Sequence, residues 1–176
     1  MAEHLAPWYA ARRQLWQALS CSAFAPRLLA ATNDSGSVPE IKLRASDGEP
    51  VLSDASIAAG KWRATYIDFW ASWCGPCKLS FPWLNQMHEQ YAAKGLRIVA
   101  IGLDRKDSDA QRFLKSLPPR FAVALDPAAD TATLLGLQVM PTSYLIGPGR
   151  RLLATHKGFR LDDAADTEAQ LKAALA

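Results

Sequence analysis

Cys74 and Cys77 flank Gly75-Pro76 and follow Tyr66-Ile67-Asp68-Phe69-Trp70-Ala71-Ser72-Trp73, an apolar and aromatic run holding one carboxylate. Two thiols at this spacing suit a metal clip, a structural disulfide or a redox switch. A thiol attacks only as thiolate, and an unperturbed cysteine near neutral pH is mostly protonated. Redox work therefore needs a device that acidifies one sulfur and keeps the other within reach. A helix starting inside the motif supplies both. Its unpaired amide N–H groups and positive dipole end favour an anion at Cys74, and each pKa unit lowered is worth about 1.4 kcal/mol. Pro76 fits a first helical turn, where its missing N–H costs nothing. Cys77 falls one turn further in, where it is expected to be more buried and to react second. A soft-metal carrier for copper(I) or zinc stays as the alternative. It would need further ligands, and the chain offers no second cysteine pair or suitably placed pair of histidines.

The elements that must hold these sulfurs can be read from the pattern around them. Thr65 to Trp70 is a nearly continuous apolar run, as expected of a strand covered on both faces. After Cys74, Leu79, Trp83, Leu84, Met87 and Tyr91 recur at helical spacing, and Gly95 after Lys94 is a stop signal. Leu96–Leu103 reads as a second buried strand, followed by a helix over about 108–117, ended by Pro118-Pro119. A strand over 121–125 and a short helix over 130–135 come next. Strands at 143–146 and 152–156 flank Gly147-Pro148-Gly149 as a hairpin, and a final helix runs over about 162–175. Upstream, Ile41–Arg44 and the residues after Pro50 form short strands joined by a turn, with an irregular connector to Trp62. This order predicts a single α/β domain with a mixed central β-sheet flanked by helices.

Bulk properties agree. The 176 residues, 49% hydrophobic, suffice for one domain with a full core. The net charge is +3, and the 20 Lys and Arg are scattered, which argues against nucleic acid as a partner. Three cysteines are too few for a disulfide-stapled mini-fold, so the pair suits chemistry better than scaffolding. Residues 1–31 carry Arg12-Arg13 ahead of a modestly apolar stretch and read as an export signal of twin-arginine character. Residues 32–40 read as a linker, and 41–176 as the folded domain. Cys21 is a weaker candidate for lipid attachment. His88 and His156 rank below the cysteines as functional groups, and Arg150-Arg151 reads as a solvated turn.

The stretch FWASWCGPCK resembles the thioredoxin superfamily. Further positions match: Asp68 in the place of a buried acid, Pro82 in the active-site helix, Met140-Pro141-Thr142 as a cis-proline turn, and Gly158 beyond it. The extra helix and strand at about 108–125, with the leader, make the chain similar to the exported TlpA/ResA-type thiol-disulfide reductases. The resemblance implies a thioredoxin-like sandwich with that unit inserted between the active-site helix and the cis-proline turn. It implies Cys74 as nucleophile, Cys77 as resolving thiol and Asp68 as acceptor of the Cys77 proton. It implies substrate contacts at Trp73, Gly75, Pro76, Met140, Pro141 and Thr142. The redox-active pair itself would be the only prosthetic device, with no cofactor and no metal. Expected partners are protein disulfides, such as an apocytochrome before haem attachment, and a membrane electron donor. The protein is expected to be monomeric and to work in the cell envelope or periplasm. Gly75-Pro76 resembles the dipeptide of reducing members. Two departures stand out: Ser80 occupies a place where many of the subgroup carry glutamate, and Asp68 one where they often carry a neutral residue.

Overall fold

A computed structural model describes residues 36–55 and 61–176. The leader read at 1–31, with Arg12, Arg13 and Cys21, lies outside the described residues, as does the connector at 56–60. The elements run β1 (Ile41–Arg44), β2 (Pro50–Leu52), β3 (Ala64–Trp70), α1 (Gly75–Tyr91), β4 (Leu96–Gly102) and α2 (Asp107–Ser116). They continue with β5 (Ala122–Leu125), α3 (Asp130–Leu134), β6 (Thr142–Ile146), β7 (Leu152–Lys157) and α4 (Ala164–Leu175).

The main sheet has the order β5-β4-β3-β6-β7. Strands β3, β4 and β5 are parallel, whereas β6 runs antiparallel to β3 and to β7. This is the mixed sheet expected, with α2 and β5 supplying the inserted helix-strand unit. Every residue of β3 and β4 is buried, which explains why the sequence of both is apolar with almost no alternation. The faces still differ. Tyr66, Trp70, Ile98 and Leu145 join α1, α2 and α4 in one core. Ile67, Phe69, Val99 and Ile101 point to the other face, under the β1–β2 hairpin and α3.

Cys77, Ser80, Phe81, Trp83, Leu84, Met87 and Tyr91 form the buried stripe of α1. Leu79, read as part of that stripe, is half exposed instead, and Phe81 takes the core position. Phe81 meets Trp70 at 5.3 Å, Phe113 at 4.8 Å and Phe121 at 5.4 Å between ring centroids, and Trp70 stacks on Phe113 at 4.5 Å. Each such pair adds roughly 0.5–1.5 kcal/mol beyond simple area burial. The cluster clamps the first turns of α1 onto the end of β3 and onto α2. Gly102 makes room for it, because a Cβ there would stand 2.8 Å from Trp70 Cζ2 and 3.0 Å from Leu125 Cδ2.

The edge of the domain is better tied than the sequence suggests. Val38, in the stretch read as a linker, is buried, and its N–H donates to the Arg150 carbonyl at 2.8 Å. Arg150 is not the solvated turn residue expected. Its Nε donates to Asp54 Oδ1 at 2.6 Å and its Nη1 to the Val38 carbonyl at 2.9 Å. Arg97 is a charge inside an otherwise apolar strand. It is accommodated by a two-oxygen contact to Asp47 at 3.1 Å and by the carbonyls of Pro50 and Val51. That arrangement fastens the hairpin to β4.

Among the described residues no helix is long and apolar enough to cross a membrane.

Candidate active site

Cys74 and Cys77 are joined as a disulfide, with Cα atoms 5.3 Å apart. Cys74 is the N-cap of α1, and its Sγ accepts a hydrogen bond from the Cys77 N–H at 3.3 Å. The sulfur thus does what a serine or aspartate oxygen does at an ordinary helix start. Pro76 lies in the first turn, and that turn holds no acidic side chain to compete for the dipole. Cys77 is fully buried and Cys74 is 4% exposed. Both sulfurs are therefore largely covered, Cys77 the more deeply of the two. Trp73, Gly75 and Pro76 around Cys74 are all exposed, Trp73 to 71%.

The loop that delivers Cys74 is held by a residue the sequence did not single out. Asp104, just beyond β4, accepts from the Ser72 N–H at 2.8 Å and from the Ser72 hydroxyl at 2.7 Å. The Cys74 N–H donates to the Ala71 carbonyl, and the Leu103 N–H to the Trp70 carbonyl. The ends of the two central strands and the cysteine turn are thereby laced together.

Asp68 lies on the α1 face of β3, two residues from both Tyr66 and Trp70. It is 1% exposed. Its Oδ1 accepts from the Ser143 hydroxyl at 2.6 Å, and its Oδ2 has no hydrogen-bond partner. Burial raises its pKa to about 7, with the Ser143 hydrogen bond pulling weakly the other way. A carboxyl that titrates at neutral pH is suited to proton transfer. Ser80, at the position where the subgroup often carries glutamate, is buried and donates back to the Cys77 carbonyl at 3.1 Å. It therefore contributes no second carboxyl beside the cysteine pair.

The Met140–Pro141 bond is cis. Thr142 pairs with Phe69 in the sheet, which sets Pro141 beside the end of β3 from which the cysteine loop departs. Gly158, at φ +81°, donates its N–H to the Pro141 carbonyl at 2.7 Å, a backbone conformation that favours glycine. Met140 is half-buried, whereas Pro141 and Thr142 are buried. The Thr142 hydroxyl is used internally, donating to the Val139 carbonyl at 2.7 Å.

Comparison with known proteins decides the family. A family model described as Redoxin matches residues 33–175. The chain belongs to the Redoxin family. That family lies within the thioredoxin superfamily, and the chain is similar to its TlpA/ResA-type members. Its match to the thiol-disulfide oxidoreductase ResA of Bacillus thuringiensis subsp. konkukian is 31% identical over 98 residues, 56% of this chain and 57% of the relative. The chain thus spans little more than half the length of that curated relative. The crystal structure of a candidate thiol:disulfide interchange protein DsbE from Chlorobium tepidum is 42% identical, with a TM-score of 0.72 over 81% of this chain and 97% of that one. StoA from Bacillus subtilis, at 20% identity and a TM-score of 0.62 over 76% and 97%, shares the fold. The Redoxin chain accordingly has the thioredoxin-like α/β architecture expected from its sequence.

Proposed function

We propose that this Redoxin protein is a thiol-disulfide oxidoreductase that reduces protein disulfides through Cys74 and Cys77. The observation that carries the reading is the sulfur of Cys74 capping α1 with Cys77 buried behind it. In the reduced protein the Cys74 thiolate attacks one sulfur of a substrate disulfide, expelling the other as a thiolate and leaving a mixed disulfide. Asp68 takes the proton of Cys77. The resulting thiolate attacks the Cys74 sulfur, and the substrate leaves with two thiols as the Cys74–Cys77 bond forms. Two electrons pass from the pair to the substrate.

The rim has the character a peptide substrate needs. Trp73 and Leu79 on the α1 side and Val139 ahead of Met140 are exposed apolar groups. Gly75, Pro76, Met140 and Pro141 complete the substrate contacts, with Thr142 set behind Pro141. The names of the relatives, ResA oxidoreductases and a DsbE-type interchange protein, support disulfide exchange over metal carriage. A carrier would also need a third ligand, and among the described residues no group of three His, Cys, Asp or Glu stands together. Export to the cell envelope, a membrane electron donor and apocytochrome substrates complete the proposal by likeness to the TlpA/ResA type.

The direction of electron flow is tested by equilibrating the Cys74–Cys77 couple with glutathione. A reductase is expected to sit nearer the roughly −270 mV of thioredoxin than the roughly −120 mV of strong oxidants. The same protein should reduce insulin disulfides with dithiothreitol as donor, and Cys74→Ser should not. A potential at the oxidising end would overturn the reductase assignment.

A further inference from the structure

Asp68 is sealed in the core, so a proton it accepts needs a way out. The sheet register supplies one. Asp68 on β3 stands directly opposite Ser143 on β6, and Ser143 stands directly opposite His156 on β7. Side chains opposite one another in antiparallel strands share a face. The row therefore crosses three strands on the α1 side of the sheet. Tyr66, two residues before Asp68 on that face, fills the diagonal. The Ser143 hydroxyl donates to Asp68 at 2.6 Å, and Tyr66 stands on the diagonal from Ser143 in the β3–β6 register. The Tyr66 hydroxyl is 3.5 Å from His156 Nδ1, and His156 Nε2 is 3.2 Å from Gln170 Oε1.

Exposure rises along the same row. Tyr66 and Ser143 are buried, His156 is half-buried and Gln170 is exposed. His156 opens on a cleft of about 190 Å³ lined by Tyr66, His156, Lys157, Arg160, Asp163 and Thr167.

We propose that Ser143, Tyr66 and His156 form a proton exit from Asp68 to the cleft beside His156, an inference that rests on Asp68 being the acceptor of the Cys77 proton. Each hydroxyl can accept one hydrogen bond while donating another. The Asp68 proton passes to Ser143 Oγ as Ser143 gives its own to the Tyr66 oxygen, and Tyr66 gives its own to His156 Nδ1. The imidazole releases a proton from Nε2 to water, so one proton leaves and no electrons move. Burial keeps the Tyr66 phenol neutral by raising its pKa. It also lowers that of His156, against a weaker opposing hydrogen bond from Gln170, so the imidazole is free to accept at neutral pH. Lys157, Arg160 and Asp163 are the charged groups lining the cleft beside His156, and Cys77 belongs to the core on the α1 side of the sheet, the side on which Asp68 lies.

The test follows the two releases of thionitrobenzoate when the reduced full-length protein meets Ellman's reagent. The first reports attack by Cys74 and the second reports resolution by Cys77. At pH 6 Asp68 starts mostly protonated and must shed that proton through the exit before it can take the one from Cys77. There Tyr66→Phe and His156→Ala should leave the first phase unchanged and slow the second about tenfold in weak buffer. Added imidazole should restore His156→Ala, and Asp68→Asn should be slow with or without it. If Tyr66→Phe and His156→Ala resolve at the wild-type rate from pH 6 to 9 while Asp68→Asn is slow, the exit is wrong and the acid stands. A His156→Ala defect indifferent to imidazole overturns the exit as well. Should Asp68→Asn also resolve normally, the acid assignment falls and the exit with it.

Discussion

Cys77→Ser is expected to stop turnover and leave the protein covalently held to its substrate through Cys74. The Cα atoms of the pair are 5.3 Å apart, and Cys77 lies buried directly inside the first turn that Cys74 caps. It is the only other cysteine among the described residues, so no neighbouring thiol there can take over resolution. A serine hydroxyl does not ionise near neutral pH and cannot form the second disulfide. The mixed disulfide should then persist, with turnover down on the order of 10³-fold or more, as when one member of a concerted catalytic set is removed. Non-reducing electrophoresis of Cys77→Ser mixed with a disulfide-bonded protein should show a band that dithiothreitol dissolves. Cys74→Ser should show none. Equal trapping by both variants would mean that either sulfur can attack.

Asp68→Ala should stabilise the oxidised protein at pH 8 and do the opposite at pH 4. Well below its unfolded pKa of 3.8 the carboxyl is protonated in both folded and unfolded chains and its burial carries no ionisation penalty, and at pH 4 that penalty is still small. Between about 4 and 7 the unfolded chain loses the proton while the folded one keeps it, because the folded pKa is raised from 3.8 to about 7. Stability therefore falls as pH rises through that window and levels off above it. The full penalty is at most about 4 kcal/mol. Alanine removes it but also loses the Ser143 hydrogen bond and leaves a small void, together costing about 1–2 kcal/mol. The net expectation is a gain of about 2–3 kcal/mol at pH 8 and a loss of about 1–2 kcal/mol at pH 4. Urea unfolding of both proteins at the two pH values measures this directly. The same difference at both values would show that Asp68 ionises in the folded protein as it does in water.

What could be read from the chain and what could not divides along local and long-range information. The cysteine turn, the buried strands and the helix after Cys74 are written in contiguous residues. The strands lie within a residue of their expected bounds, and α1 ends at Tyr91, with a 3-10 turn over Ala92–Lys94 reaching the expected stop at Gly95. The helix over 108–117 and strand over 121–125 appear as α2 and β5 for the same reason. The last helix begins later than expected because Leu161–Asp163 forms a tight turn of its own first. Ser143 and His156, by contrast, acquire meaning only from register. One residue of slip between β3 and β6 would turn Ser143 to the other face of the sheet. Nothing local in Ser143-Tyr144-Leu145-Ile146 fixes that register. Asp104 was missed for a related reason: its partner, Ser72, is on the neighbouring strand's loop, 32 residues earlier. Arg97 and Arg150 look like surface charges until Asp47, Asp54 and Val38 are brought to them by the hairpin and the segments on either side of it.

In the proposed mechanism helix α1 makes the sulfur of Cys74, and not that of Cys77, the acidic nucleophile. The most direct measurement is the rate of alkylation of the reduced protein by iodoacetamide from pH 4 to 10, with the modified cysteine located by mass spectrometry. The label should fall on Cys74, with a rate profile whose midpoint lies clearly below the 8.5 of a free cysteine. Labelling on Cys77 first, or on Cys74 with a midpoint at 8.5 or above, would contradict it.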